Sequence, residues 1–302
     1  MELSDTQWVA VDWGTSNVRA WGIDASGSPT FAAASDKGMG RIGRADYPAA
    51  LAELIAGRLG GGDVIICGMA GARQGWMEAP YLDAPTALSE LAQRAVRPAA
   101  AGSAYDIRIL PGVCQRAPGQ EDVMRGEETQ LLGLLRLRPG FSGVAILPGT
   151  HSKWAEIRDG RLLRFSSAMT GELYDILATH SVLRLSLDGD RSGPEHHAGL
   201  EEGLNDGLTR PGEVTALAFR TRAAGLLSGK RSDWCSGYLS GLLVGAEVGG
   251  HREWLQGDPV PLVGSGKLTA IYLSALHMIG AQGIEIDAAE ATLAGLEEAR
   301  SQ

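Results

Sequence analysis

The chain is poor in cysteine: 302 residues carry only Cys67, Cys114 and Cys235. Their spacing rules out a CxxC metal knuckle, and an odd number so far apart marks no disulfide framework. Buried thiols in a reducing cytoplasm are expected. A basic excess is lacking too, because 27 Lys+Arg stand against 36 Asp+Glu for a formal net charge of −9. This balance disfavours non-specific attraction to nucleic acid or an anionic membrane, and anionic substrates must be held by local donors. No uncharged apolar run reaches the roughly 18 residues that span a bilayer, and Met1–Gln7 has neither a basic n-region nor an apolar h-region. The expectation is a cytoplasmic protein without membrane or nucleic-acid partners.

What is present is organised around Trp8–Asp24, WVAVDWGTSNVRAWGID. Val9 and Val11 precede a small polar turn, and Val18, Ala20 and Gly22 follow it in alternation with Arg19 and Trp21, the period of paired strands. Asp12 stands at the mouth of this hairpin, before Gly14, Thr15 and Ser16. Small residues and hydroxyls in such a turn can cradle an anion while a carboxylate holds a divalent cation. An ordinary hairpin with a solvated aspartate fits this stretch equally well. About half a chain later Ile146–Ile157, ILPGTHSKWAEI, again runs strand, Gly149-Thr150 turn, strand.

Between the two, helical spacing of Leu51, Leu54, Ile55 and Leu59 predicts a helix over 47–59, and DVIICGM predicts a buried parallel strand over 63–69. The glycine-rich loop that follows, with Arg73 and Trp76, lies where ligands of α/β sheets bind, although a connection with a packed tryptophan is an equal reading. A short helix within 87–94, a strand at 107–110, an unpatterned stretch over 111–123 and a helix over 125–137 complete the first half. That last helix carries Glu127 and Glu128 in its first turn, where acidic residues also simply face the macrodipole. Arg138-Pro139-Gly140 breaks the chain. Two domains follow as the expectation, 1–138 and 139–287, with a helix over 288–302 packing back on the first.

The second half repeats three strands before a helix over 171–185. Residues 200–227 read as two helical pieces broken at Pro211-Gly212. Gly237, Gly241, Gly245 and Gly249 then lie four apart on one helix face. Each internal glycine costs about 1 kcal/mol relative to alanine, so four in line predict a backbone packed very close to another element. A strand at 261–263 runs into Gly264-Ser265-Gly266-Lys267 and a helix over 268–278, which makes a phosphate or ribose site. Alone this is weak, since the glycine spacing of a Walker loop is missing.

Together VDWGTSNVRAW, VMRGEETQLLG, LPGTHSKW, MTGEL and SGLLVGAEV resemble the 2-dehydro-3-deoxygalactonokinase family within the sugar kinase, acetate kinase and actin-like superfamily. The resemblance implies an α/β fold of two actin-like (ribonuclease H-like) domains, each a mixed sheet flanked by helices, with an interdomain cleft. It implies ATP and Mg²⁺, and transfer of the γ-phosphoryl group to the terminal hydroxyl of 2-dehydro-3-deoxy-D-galactonate. Asp12 would organise the metal, and Glu127 matches the general base. Gly14, Thr15, Ser16, Gly149 and Thr150 would line the phosphate path, with Gly264, Ser265 and Gly266 toward the nucleoside. Arg73 and Arg125 are candidates for the substrate carboxylate, because a guanidinium fork matches it bidentately. Trp76 and Glu128 complete the substrate side, Glu128 assisting or merely capping its helix. Another sugar acid as substrate, an ATP or polyphosphate hydrolase, and a non-catalytic sugar-acid sensor of the same fold remain open, as does homo-oligomerisation.

Overall fold

The computed structural model describes residues 5–99, 104–188, 192–257 and 259–302. In chain order the first half contains β1 (Trp8–Trp13), β2 (Val18–Ile23), β3 (Pro29–Ser35), α1 (Tyr47–Ile55) and β4 (Gly62–Gly68). It continues through β5 (Leu82–Asp83), β6 (Thr86–Ala87), α2 (Glu90–Gln93), β7 (Tyr105–Ile109), β8 (Val113–Gln115), β9 (Asp122–Met124) and α3 (Glu127–Leu137). After it come β10 (Gly143–Leu147), β11 (Ser152–Arg158), β12 (Arg161–Ala168), α4 (Thr170–Thr179), α5 (Pro194–Thr209), α6 (Val214–Leu227) and α7 (Ser232–Gly250). The chain closes with β13 (Val260–Val263), α8 (Gly266–Met278), β14 (Gly283–Ile286) and α9 (Ala288–Ser301).

Contacts divide the chain into two units, Met1–Ser142 with Ile157–Phe165 and Ala288–Gln302, and Gly143–Glu156 with Ser166–Asp287. Residues 157–165, expected with the second half, belong to the first unit, where Arg161 and Leu162 pair with Ala87 and Thr86 of β6.

The first unit is built on a sheet of order β3-β2-β1-β4-β7. β1 runs antiparallel to β2 and parallel to β4, which sets Asp12 opposite Cys67 and Trp13 opposite Gly68. β1 is buried on both faces and β4 over its last five residues, as their continuous apolar runs require. Trp13, Tyr47, Leu51, Ile55 and Ile66 are among the buried residues of this core. On α3, Gly133 meets α9 so closely that a Cβ would lie 1.8 Å from the Ala291 carbonyl oxygen. Three expectations differ in detail. α1 stops at Ile55, before Gly57 at φ +70°. The unpatterned 111–123 stretch supplies β8 and part of β9 to a small sheet with β5, held by backbone pairing rather than apolar periodicity. The predicted 171–185 helix ends at Thr179, and a separate 3₁₀ turn covers Val182–Ser186.

In the second unit the strands follow the order β14-β13-β10-β11, with β13 parallel to both β10 and β14. α5 and α7 pack backbone to backbone. A Cβ on Gly237, Gly241 or Gly245 would come within 2.6 Å of the carbonyls of His196, Leu200 and Leu204, and Gly199, Gly203 and Gly207 meet α7 in the same way. The glycine row thus serves an interlocked pair of helices.

Candidate active-site residues in the two units

In the first unit the ends of β1 and β4 and the start of α3 converge. Asp12 is one residue from the end of β1, with its side chain 20% exposed and Oδ2 paired to Arg19 Nη2 at 2.7 Å. The turn beyond it is closed by Gly14 N–H donating to Asn17 O, and is clamped by Met39 N–H to Gly14 O and Gly40 N–H to Thr15 O. Gly38 makes this possible, because a Cβ there would stand 2.3 Å from the Ser16 carbonyl carbon. Thr15 and Ser16 are left exposed. Gly68, at φ +83°, lies against the end of β1, and a Cβ on it would be 2.7 Å from Trp13 O. Gly126, at φ +109°, comes close to Gly68 in turn.

α3 begins one residue after that glycine, and its two acids part company. Glu127 is partly exposed, and one carboxylate oxygen accepts the Arg125 N–H at 3.1 Å. Glu128 is 0% exposed and accepts the Gly126 N–H at 2.7 Å and the Thr129 hydroxyl at 3.0 Å. Burial, and then the Glu127 charge, push Glu128 up to about 7. Glu128 is therefore corrected from the substrate surface to the buried helix start. Burial, with Asp12 and Glu128 nearby, likewise raises the Cys67 thiol well above its usual range and keeps it protonated.

Arg125 reaches back to the glycine-rich loop. Its Nη2 donates to Ala79 O at 2.8 Å and its guanidinium lies over Tyr81 at 4.3 Å. Nε and Nη1 are buried without a partner among the described residues. Gly71 leaves the room, since a Cβ there would be 2.8 Å from Nη1. Unpartnered buried donors on a permanent cation call for an anion. Arg73 is exposed, and its carbonyl accepts from Arg44. Trp76 is corrected to a core residue, 7% exposed, stacked on Tyr47 at 5.8 Å and edge-on to Trp13 at 6.4 Å.

In the second unit the Gly149-Thr150 turn links β10 to β11 and abuts the start of α4, where a Cβ on Gly171 would be 2.8 Å from Thr150 Cα. A cavity of about 260 Å³ opens there, lined by Gly149, Thr150, Thr170, Gly171, Tyr174 and Leu268 among others. Beneath it Glu247, only 7% exposed, accepts from Ser152 Oγ at 2.8 Å, Trp154 Nε1 at 2.8 Å, Tyr272 Oη at 2.6 Å and Thr170 Oγ1. No contiguous motif announces this hub, although an acid inside a glycine-rich apolar helix must find donors. Beside the turn, His151 Nε2 and Glu172 Oε2 lie 2.5 Å apart, another pair found only in the fold. Gly264 is buried against Thr269 and Pro148, leaving Ser265 and Gly266 at the surface where α8 begins.

Comparison with known proteins decides the family. The family model of 2-keto-3-deoxy-galactonokinase matches residues 12–299. The chain belongs to this kinase family. A Rhizobium meliloti protein named as a probable 2-dehydro-3-deoxygalactonokinase is 40% identical, covering 97% of this chain and 96% of its own. The 2-dehydro-3-deoxygalactonokinase of Escherichia coli is 34% identical over 91% and 90%. A crystal structure of a Sinorhizobium meliloti protein assigned to the same activity superposes with a TM-score of 0.90 at 40% identity, covering 97% and 95%. The (R)-2-hydroxyglutaryl-CoA dehydratase component A of Acidaminococcus fermentans shares the fold alone, with a TM-score of 0.51 at 10% identity over 97% of each chain. As a member of the galactonokinase family the chain is a phosphotransferase with an alcohol acceptor.

Proposed function

We propose that this kinase transfers the γ-phosphoryl group of ATP to the terminal hydroxyl of 2-dehydro-3-deoxy-D-galactonate, giving the 6-phosphate and ADP. The observation that carries the reading is the family match over 12–299, which includes both Gly-Thr turns and the Gly126-Glu127 helix start. In the step, the substrate oxygen forms its bond to the γ-phosphorus as the bond to the ADP oxygen breaks, and the hydroxyl proton must leave. Glu127 takes it. Its partial exposure, and its place in sequence two residues after Arg125, whose Nε and Nη1 have no partner among the described residues, support that role over Glu128. Arg125 binds the sugar-acid carboxylate through Nε and Nη1, the donors left without a partner among the described residues. Arg73, exposed on the same glycine-rich loop, is the secondary contact.

Gly14, Thr15 and Ser16 of the first unit and Gly149, Thr150, Ser265 and Gly266 of the second serve the nucleotide, through small residues and exposed hydroxyls. Asp12 fits Mg²⁺. Among the described residues no group of three or more His, Cys, Asp or Glu side chains gathers to hold a metal. One accessible carboxylate suits a hard cation that keeps water and phosphate as its remaining ligands. When bound, such an ion neutralises charge on the phosphate oxygens. Arg19 holds the Asp12 carboxylate in the meantime.

No helix among the described residues is long and apolar enough to cross a membrane, and all three cysteines are free and buried. Both features support the proposal of a cytoplasmic enzyme. Coupled ADP-release assays across a panel of 2-keto-3-deoxy sugar acids test the function. Turnover is expected with the galactonate derivative, and ADP release at the same rate without any sugar acid would overturn the kinase reading in favour of a hydrolase.

A further inference from the structure

Glu128 touches no solvent, yet its carboxylate is the one most firmly built into the start of α3. Its Oε2 is bonded to the N–H of Gly126, the residue at φ +109° that turns the chain into Glu127. A side chain other than hydrogen is strained in that conformation, so the turn depends on glycine and on what holds its peptide. Around Glu128 stand Glu127 on the same helix, Arg125 just before it, and Cys67 on β4, with Asp12 3.9 Å beyond the Cys67 sulfur. Where α9 meets Thr129, the approach is made by Gly295, on which a Cβ would lie 2.0 Å from the Thr129 carbonyl oxygen.

Both charge states of Glu128 fit this setting. As a carboxylate it accepts from Gly126 and Thr129. As an acid, Oε2 still accepts the amide while Oε1 donates to the Thr129 oxygen, whose own hydrogen can turn to the Cys67 sulfur.

We infer that Glu128 is a positioning residue for Glu127, holding the Gly126 turn that aims it and, by gaining or losing its own proton, setting the charge beside it. The inference rests on the reading of Glu127 as proton acceptor. When Glu128 ionises, a second negative charge next to Glu127 makes it a stronger acceptor, and the two acids titrate as a coupled pair. The value of about 7 for Glu128 puts that event near neutrality. kcat should therefore rise through neutral pH on the ionisation of a residue that meets no substrate.

The test combines kcat–pH profiles of the full-length wild type, Glu127→Gln, Glu128→Gln and Glu128→Ala with NMR titration of ¹³C-labelled glutamate carboxyls. The Glu128 signal is identified by its absence in Glu128→Gln. That variant keeps an oxygen for the Gly126 N–H, so kcat should stay within about tenfold of wild type while the rise near neutrality disappears. Glu128→Ala loses the acceptor and should fall further; if it does not fold, the Gln profile and the titration still decide. Removing the like charge in Glu127→Gln should move the Glu128 titration to the acid side. A Glu128→Gln profile that superposes on wild type in shape, or a Glu128 carboxyl that titrates unchanged in Glu127→Gln, overturns the inference. Should Glu127→Gln itself keep wild-type kcat, the acceptor reading falls and the inference with it; the inference alone fails when Glu127→Gln loses activity but the Glu128→Gln profile keeps the wild-type shape.

Discussion

At the residue scale the site turns on how one helix start separates two adjacent acids. Successive helical residues point about 100° apart, so Glu127 is left partly exposed while Glu128 is carried wholly inside. Glu127→Gln is expected to lower kcat by about 10²–10⁴-fold with ATP affinity nearly kept, measured by steady-state kinetics alongside nucleotide titration. Asp12→Asn keeps the shape of its side chain and loses the charge proposed to hold the metal. Its turnover should vanish at ordinary Mg²⁺ while the melting temperature stays near wild type, and a near-normal kcat would remove Asp12 from that role. Arg125→Lys keeps the charge but not the fork. Losing a charge-assisted hydrogen bond costs about 1.5–3 kcal/mol, so KM for the sugar acid should rise roughly ten- to hundredfold. An unchanged sugar-acid KM with a raised KM for ATP would instead put this guanidinium on the nucleotide.

At the scale of elements, glycine decides which helices can touch. α5 and α7 interlock through Gly199, Gly203 and Gly207 on one helix and Gly237, Gly241 and Gly245 on the other, each aimed at a backbone carbonyl across the contact. Backbone cannot swing aside as a flexible side chain does. Gly203→Ala, whose added carbon would stand 2.2 Å from Tyr238 O, must push the helices apart. Overpacking of this kind costs about 1–3 kcal/mol, and a fall in melting temperature should appear without any change in the kcat of the folded fraction. α3 and α9 share the device at Gly133 and Gly295. There the displaced helix carries Glu127, so Gly133→Ala should lower both stability and kcat.

For the whole molecule the buried acid makes stability depend on pH. Glu128 is raised from 4.5 to about 7 in the folded chain, so the native state holds its proton where the unfolded state has lost it. Its contribution is full below the unfolded value and is lost as pH rises through about 7. The span amounts to something on the order of 3 kcal/mol. Cys67 stays a thiol across this window, its value lying well above 9. Denaturant unfolding of wild type should therefore show stability declining from pH 5 toward 8, and Glu128→Gln should flatten that slope. An equal slope in both proteins would mean that Glu128 is already ionised in the folded state at acid pH.

Much of this was legible in the residues themselves. Alternation in Trp8–Asp24 sets the β1–β2 hairpin, the apolar run at 63–69 sets a strand buried in a parallel pairing, and four glycines at helical spacing announce a close helix contact. These are local periodicities, and a chain cannot satisfy them in many ways. The repeated Gly-Thr turns and the RGEETQL stretch carry the family in the same fashion, because they are contiguous. What only tertiary structure decided depends on residues far apart in the chain. Trp76 stands in a glycine-rich loop yet stacks on Tyr47, and neither burial nor stacking can be read from a loop's own composition. Glu247 sits in a glycine-rich apolar helix, and its partners Ser152, Trp154, Thr170 and Tyr272 come to it from β11, α4 and α8. Which of Glu127 and Glu128 is buried likewise cannot be read from two adjacent acids in a first helical turn. It was decided by the left-handed turn at Gly126 and by α9 packing on α3, which together fix how the helix is rotated and so which carboxylate is taken from water.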